Sequence, residues 1–389
     1  MDKLDKLEKL YKYLPKDKID WDLILNTLLL PFKDDLRNTP QEAKWHGEGD
    51  VLTHTIMVCE ELIKLDEYQE LDEINKLVVF LAALFHDIAK PICTSLVDGE
   101  IRSFRHPKKG ALITRKYLWK DLGLSGVKEY QEVREAIALL VKYHPEPTYL
   151  DYEDDKGKLL IKLSTNTKLT KYFTNELLYL LAKADILGRI SDTNEEKLLN
   201  VDEFKEIAIN LNCYTTCFNF SDDYTKYKYL TTENMWHNQS IFDPTWGEVI
   251  LLCGLPGTGK DTFIKKYYSN YKVISLDNIR REHKIKPTEN QGEVYVIAKE
   301  MAKEYLRNQI PFIFNATNFT KLTRQIQIDL FHQYSAKVKV IFLETSWEEN
   351  IKRDKNRRYE VSEKIIDEML IKLEIAENFE AETVEWICI

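Results

Sequence analysis

At 389 residues the chain is too long for one ordinary domain, and its 44% hydrophobic and 31% charged residues are those of a soluble globular protein with two or three cores. No apolar run approaches the roughly 20 residues that span a bilayer. The N-terminus Met1-Asp2-Lys3-Leu4-Asp5-Lys6 is charged rather than signal-like, so a cytoplasmic address and no membrane partner are expected. A formal charge of −9 argues against coating nucleic acid by bulk electrostatics and leaves a local basic groove open, and six scattered cysteines complete no zinc site.

Up to about Lys44, Leu and Tyr recur at helical spacing between breaks at Pro15, Pro31 and Pro40. Helical patterns continue over Val51 to Leu65, Leu71 to Ala89, Gly110 to Leu122, Val133 to Tyr143 and Glu176 to Ile190, with no alternating strand among them. Residues 200–245 are rich in Asn, Asp, Thr and Tyr and read as a connecting segment. Short apolar runs then follow at Val249 to Cys253, Val273 to Leu276, Phe312 to Phe314 and Val338 to Leu343, with helical patterns at Asp261 to Tyr268, Gln291 to Asn308 and Thr323 to Ser335. That alternation predicts a mainly parallel sheet covered on both faces. The expected fold class is therefore two domains: an all-α domain over 1–199, the connecting segment over 200–245, and an α/β domain over 246–389.

In the helical half, His86-Asp87 ends the apolar run Leu81-Ala82-Ala83-Leu84-Phe85, and Asp185 lies in an equally apolar run. Burying such groups is costly unless a cation cancels the charge and orients the rings. His54, near the start of another helix, adds a nitrogen donor, and His106 and His144 offer ligands for a second ion. Nitrogen and carboxylate donors together suit Mn²⁺, Fe²⁺, Co²⁺, Ni²⁺ or Zn²⁺ better than Ca²⁺. Any one of these histidines alone reads more readily as a hydrogen-bonded core or surface residue, and the set together changes that.

The order His54, His86-Asp87, Asp185, with His106 and His144 between, resembles the HD superfamily of metal-dependent phosphohydrolases over about Trp45 to Arg189. The resemblance implies that His54, His86, Asp87 and Asp185 are ligands, that His106 and His144 match members with two metals, and that an ion held there lowers the pKa of a water attacking phosphorus. Lys90, one turn past the pair, is placed to contact the phosphate, with Arg105 and Lys108 as weaker candidates.

In the α/β half, Gly254-Leu255-Pro256-Gly257-Thr258-Gly259-Lys260-Asp261-Thr262 follows an apolar run and opens a helix. Glycines that let successive N–H groups face a phosphate chain, a helix N-terminus and a lysine for the outer phosphates make this a P-loop for a nucleoside triphosphate with Mg²⁺. Asp261 stands where a Ser or Thr hydroxyl usually ligates Mg²⁺; its carboxylate would do so directly or through water, or Thr262 would substitute. Downstream, Asp277 is expected at the end of a strand beside the P-loop strand, placed to accept the proton of an attacking hydroxyl, with Arg280 binding an acceptor phosphate. An ion pair, or magnesium binding by Asp277, are the alternatives. Asn350 to Arg358 forms a basic helical segment in which Arg353 and Arg357 share a face.

The P-loop followed by Asp-x-x-Arg resembles polynucleotide 5′-hydroxyl kinases, whose lid arginine corresponds to Arg357 and whose polar turn corresponds to Asn315-Ala316-Thr317-Asn318, although Ala316 replaces an aspartate of some members. The two halves together resemble the bacterial bifunctional end-healing enzymes called HD-Pnk. This implies an enzyme that phosphorylates 5′-hydroxyl ends with ATP or another NTP and removes 2′-phosphate, 3′-phosphate or 2′,3′-cyclic phosphate, leaving RNA or DNA ends that a ligase can seal. Whether the chain forms a homodimer stays open. The alternatives are a nucleotide phosphohydrolase fused to a small-molecule kinase, and a regulatory protein in which nucleotide binding gates the HD domain.

Overall fold

The computed structural model describes residues 5–286, 291–356 and 360–389. The chain divides into two compact units, one of residues 1–124 with 129–218 and one of 125–128 with 219–389.

The first unit is built around helices α1 (Val51–Leu62) and α2 (Glu73–Phe85). Asp50 and Asp72 start them, each accepting a backbone N–H from the first turn. From Leu77 to Phe85 every residue of α2 is buried, which is why its sequence is apolar on all sides rather than along one stripe. A hairpin of β1 (Thr94–Val97) and β2 (Glu100–Ser103) follows. The expectation of no strand here is corrected. Asp98-Gly99 with φ of 53° and 84° is the turn that joins two twisted antiparallel strands, a signal that the helical reading passed over. Helices α3 (His106–Lys116), α4 (Lys128–Tyr143), α5 (Asn175–Leu187) and α6 (Asn194–Asn210) join them, with shorter helices between.

Helix α5 packs on both α1 and α2. At its C-terminal end Gly188 lies so close to α1 that a Cβ there would come 2.6 Å from the backbone of Val58. The missing side chain lets the C-terminal end of α5 rest on the middle of α1, where His54 and Asp185 come together.

Residues 200–245 do not form a separate connector. Helix α6 continues to Asn210 in the first unit, and α7 (Asp223–Thr231) lies in the second. Phe204, Tyr224, Tyr227 and Tyr229 are buried, and the buried Lys226 ammonium donates to the carbonyls of Asn378 and Glu382. Polar and aromatic residues used for packing hid the helical period.

The second unit holds β3 (Glu248–Cys253), α8 (Lys260–Tyr267), β4 (Lys272–Ser275), α9 (Leu276–Glu282), α10 (Gln291–Arg307), β5 (Phe312–Asn315), α11 (Lys321–His332), β6 (Lys337–Glu344), α12 (Trp347–Lys355), α13 (Glu363–Leu370) and β7 (Thr383–Cys388). The five strands pair in parallel in the order β4-β5-β3-β6-β7. Two details differ from expectation. A fifth strand, β7, was hidden because it alternates, with Val384 and Trp386 turned inward, as befits an edge strand. And β5, not β4, adjoins the P-loop strand on that side, so Asp277 stands one strand further from the loop and Asn315 takes the neighbouring position.

Candidate metal centre and phosphate loop

In the first unit the structure brings together all six residues expected at a metal site. His54 Nε2 lies 3.1 Å from Asp185 Oδ1 and 3.6 Å from Asp87 Oδ2. His86 Nε2 is 3.2 Å from the same Asp87 oxygen and 3.3 Å from His54 Nε2. On the other oxygen of Asp87, His106 Nε2 approaches to 3.2 Å and His144 Nε2 to 4.0 Å. Donor atoms of His54, His86 and Asp87 lie within 4.8 Å of one another, as do those of Asp87, His106 and His144. Asp87 thus joins two donor groups through its two oxygens.

Local backbone geometry sets which nitrogen of each ring faces inward. Nδ1 of His86, His106 and His144 lies 2.7, 2.7 and 2.8 Å from the carbonyl oxygen three residues earlier. A carbonyl only accepts, so these Nδ1 atoms carry hydrogen and, in a neutral ring, Nε2 presents its lone pair. His54 Nδ1 is held at 2.9 Å by the Glu48 carboxylate, whose side chain is 1% exposed. The result is a set of lone pairs facing carboxylate oxygens and, at His54 and His86, one another. Asp87 is 2% exposed, and apart from the Lys90 ammonium at 2.7 Å from Oδ2 its two oxygens face imidazole nitrogens. One lysine cannot satisfy two carboxylate oxygens and four inward-facing imidazole nitrogens, so the donor set fits a divalent metal, with the outer hydrogen bonds orienting its ligands.

Charges around the centre agree. Burial pushes Asp87 upward, but Lys90 and His86 outweigh it and hold the carboxyl well below its usual range. For Asp185 burial is likewise overcome, by Arg189 and His54. Burial opposes charging His54, yet Asp185 and Glu48 raise it above the usual imidazole value in the metal-free chain; a metal ion would take the place of that proton. Burial pushes His144 down to about 3, keeping it neutral. Lys90 Nζ lies 2.7 Å from Asp87 Oδ2 and donates to Gln41 at 2.6 Å, so it faces the centre. Arg105 stands just before His106 in a left-handed conformation, and Lys108 lies in the first turn of α3.

Four residues at this centre escaped the sequence reading. Arg189 pairs with Asp185 at 2.9 Å; its place one turn after the aspartate was the available signal. Glu48 holds His54 and His46, each at 2.9 Å, and accepts the Ile190 N–H. Glu48, His46 and Gln41 lie on irregular backbone with no period to expose them, though a fifth histidine eight residues before His54 was a hint.

In the second unit the P-loop lies at the carboxyl end of the central strand β3, where open α/β sheets bind ligands. Gly254, Gly257 and Gly259 have φ of 147°, 83° and 88°, a backbone that other residues rarely adopt. Lys260 Nζ donates to the carbonyls of Gly254 and Leu255, and the Thr258 hydroxyl donates to Leu255. Asp261 and Thr262 lie in the first turn of α8, both exposed. The Asn315 amide donates to Asp261 Oδ1 at 2.8 Å, which orients the carboxylate next to the loop lysine.

Arg353 donates to Glu349, and its guanidinium reaches Gly259, where an added Cβ would lie 3.1 Å from Nη1. Asp277 and Arg280 form an ion pair at 2.7 Å, and Arg280 also donates to Gln291. Arg357 and Arg358 lie outside the described residues.

No helix among the described residues is long and apolar enough to cross a membrane. Residues 51–171 match the HD domain and residues 249–375 the AAA domain. A curated relative, the multifunctional CCA protein of Shewanella frigidimarina (strain NCIMB 400), is 32% identical over 120 residues, 29% of this chain. The chain spans 27% of that relative's length. The chain therefore joins a helical HD domain, carrying a His/Asp cluster suited to divalent metal, to a P-loop kinase-like domain with a five-stranded parallel sheet.

Proposed function

We propose that the chain heals both kinds of nucleic-acid end, as a 5′-hydroxyl polynucleotide kinase and a 2′- or 3′-end phosphatase or cyclic phosphodiesterase, in the cytoplasm. The observation that carries the hydrolase half is Asp87, whose two oxygens face two separate donor groups. Divalent ions bound by His54, His86, Asp87, His106, His144 and Asp185 would supply Lewis-acid stabilisation of phosphoryl oxygens and an acidified water. Lys90 sits within reach of the same space to bind a phosphate oxygen, exchanging its contact with Asp87 for the substrate. Arg189 keeps Asp185 ionised and fixed.

For the kinase half, Lys260 would leave its two carbonyl partners for the outer phosphates, while Asp261, oriented by Asn315, would hold Mg²⁺. Arg353, lying against the loop, would contact the donor phosphates with Arg357. Asp277 would accept the proton of the 5′-hydroxyl and Arg280 bind the acceptor phosphate, their ion pair holding both ready at the end of β4. The polynucleotide acceptor, rather than a small molecule, rests on this Asp-x-x-Arg pair. An oligonucleotide with 5′-hydroxyl and 3′-phosphate ends, given ATP and Mg²⁺ or Mn²⁺, tests it. Mononucleotides processed as well as the oligonucleotide at both ends would instead make the chain a nucleotide hydrolase fused to a small-molecule kinase.

A further inference from the structure

Five residues beyond the candidate ligand His144, the chain turns through Tyr149 and Tyr152, whose ring centroids are 6.0 Å apart. Tyr149 is 48% exposed and Tyr152 77%. These rings do not fill the core, yet they are held in place. Tyr149 N–H donates to the Pro145 carbonyl, and Asn200 of α6 grips the Thr148 carbonyl at 3.1 Å.

Lys197, on the same helix, sets its ammonium 5.1 Å from the Tyr149 centroid and 5.7 Å from that of Tyr152. That helix is tied back to the metal centre, since Asn194 donates to the carbonyl of Arg189, the partner of Asp185. The Tyr149 hydroxyl feels the centre directly. Burial raises its pKa first, Arg189 opposes this, and the Asp185 and Asp87 carboxylates add to it. Tyr149 thus lies within the field of the centre's carboxylates while its ring stays about half open to solvent.

Two exposed aromatic faces with a cation between them, beside a phosphate-cleaving centre, have the parts of a stacking platform: π-faces for a base and a positive charge for its backbone. We infer that Tyr149 and Tyr152, with Lys197, stack the nucleobase adjoining the phosphate hydrolysed at the metal centre. This rests on the proposed end-phosphatase activity. The rings are tilted by 52°, so a flat base lies against one ring and abuts the other.

The experiment compares the full chain with Tyr149→Ala, Tyr152→Ala and the corresponding Phe variants on a 3′-phosphorylated oligonucleotide. A second oligonucleotide has an abasic 3′-terminal nucleotide, and a nucleoside 3′-monophosphate is the third substrate. Stacking predicts that each Ala substitution raises KM about 5- to 150-fold on the intact oligonucleotide. Phe restores KM, and the loss vanishes on the abasic substrate because the base is already gone. The same loss is expected on the mononucleotide, which carries that base; a loss confined to the oligonucleotide overturns the inference. Equal losses on intact and abasic oligonucleotides, or no loss on any substrate, overturn the inference. If the unaltered chain releases no phosphate from any end, the proposed activity itself has failed rather than the platform.

Discussion

His54 and His86 point their Nε2 atoms at each other across 3.3 Å, with ring centroids 5.3 Å apart and both side chains fully buried. Two imidazole lone pairs do not attract, so this relationship asks for a cation between them, or for a proton on one. Removing divalent metal with a chelator should therefore lower the calorimetric Tm of the HD unit by several degrees, and Mn²⁺, Co²⁺ or Ni²⁺ should restore it. Asp87→Ala should cut metal content and lower phosphohydrolase activity at least about 100-fold while leaving kinase activity in place. A Tm indifferent to chelation of metal-loaded protein counts against a structural link between metal and fold.

Gly188 supplies a second prediction. A Cβ there meets the Val58 backbone at 2.6 Å, and backbone cannot step aside as a flexible side chain does. Gly188→Ala should cost about 1–3 kcal/mol in stability and weaken metal binding by separating Asp185 from His54. Urea unfolding and metal titration check the two effects together; an unchanged midpoint shows that α5 can slide on α1 without penalty.

In the P-loop, Asp261→Ser should keep kinase activity within about tenfold, because a hydroxyl is the more common Mg²⁺ ligand at that position. Asp261→Ala should lose more, and Asn315→Ala should fall between them, since it frees the carboxylate without removing it. Binding of the triphosphate should be much weaker without Mg²⁺ in the unaltered chain than in Asp261→Ser, as the unscreened carboxylate repels phosphate. Calorimetric titration with and without Mg²⁺ measures this, and equal metal dependence in the two proteins removes Asp261 from the site.

Acid should destabilise the first unit in a defined window. Burial pushes His46 from its ordinary 6.5 down to about 4. The unfolded chain therefore takes up this proton before the folded one. The stability of the neutral form is complete above about pH 6.5 and declines as pH falls towards 4, by at most about 3 kcal/mol. His144, pushed to about 3, acts in the same direction and extends the decline. His46→Gln should flatten the slope of stability against pH by about one proton between pH 6 and 4.5. An unchanged slope means that His46 charges in the folded chain.

What the sequence made legible was whatever a period or a fixed spacing encodes. The buried run ending at His86-Asp87 declared its helix and its candidate ligands, and strand, glycine loop and lysine declared the candidate phosphate loop. The hairpin at Asp98-Gly99 needed turn chemistry rather than periodicity, and β7 needed its alternation read as an edge strand. Glu48 and Gln41 could not be read locally, because their meaning lies in contacts with His54 and Lys90 made only after folding. Strand order was equally hidden. The loop strand's neighbour is set by the crossover connections, so Asn315 rather than Asp277 came to stand beside Asp261.

The central claim is that one chain treats both ends of a broken strand through two independent sites. One oligonucleotide bearing a 5′-hydroxyl and a 3′-phosphate, followed with the unaltered chain, Lys260→Ala and the double variant His86→Ala with Asp87→Ala, measures it most directly. The account predicts a 5′-phosphate gained and a 3′-phosphate lost with the unaltered chain, only the loss with Lys260→Ala, and only the gain with the double variant. Phosphorylation that survives Lys260→Ala, or 3′-dephosphorylation that survives the double variant, would contradict it.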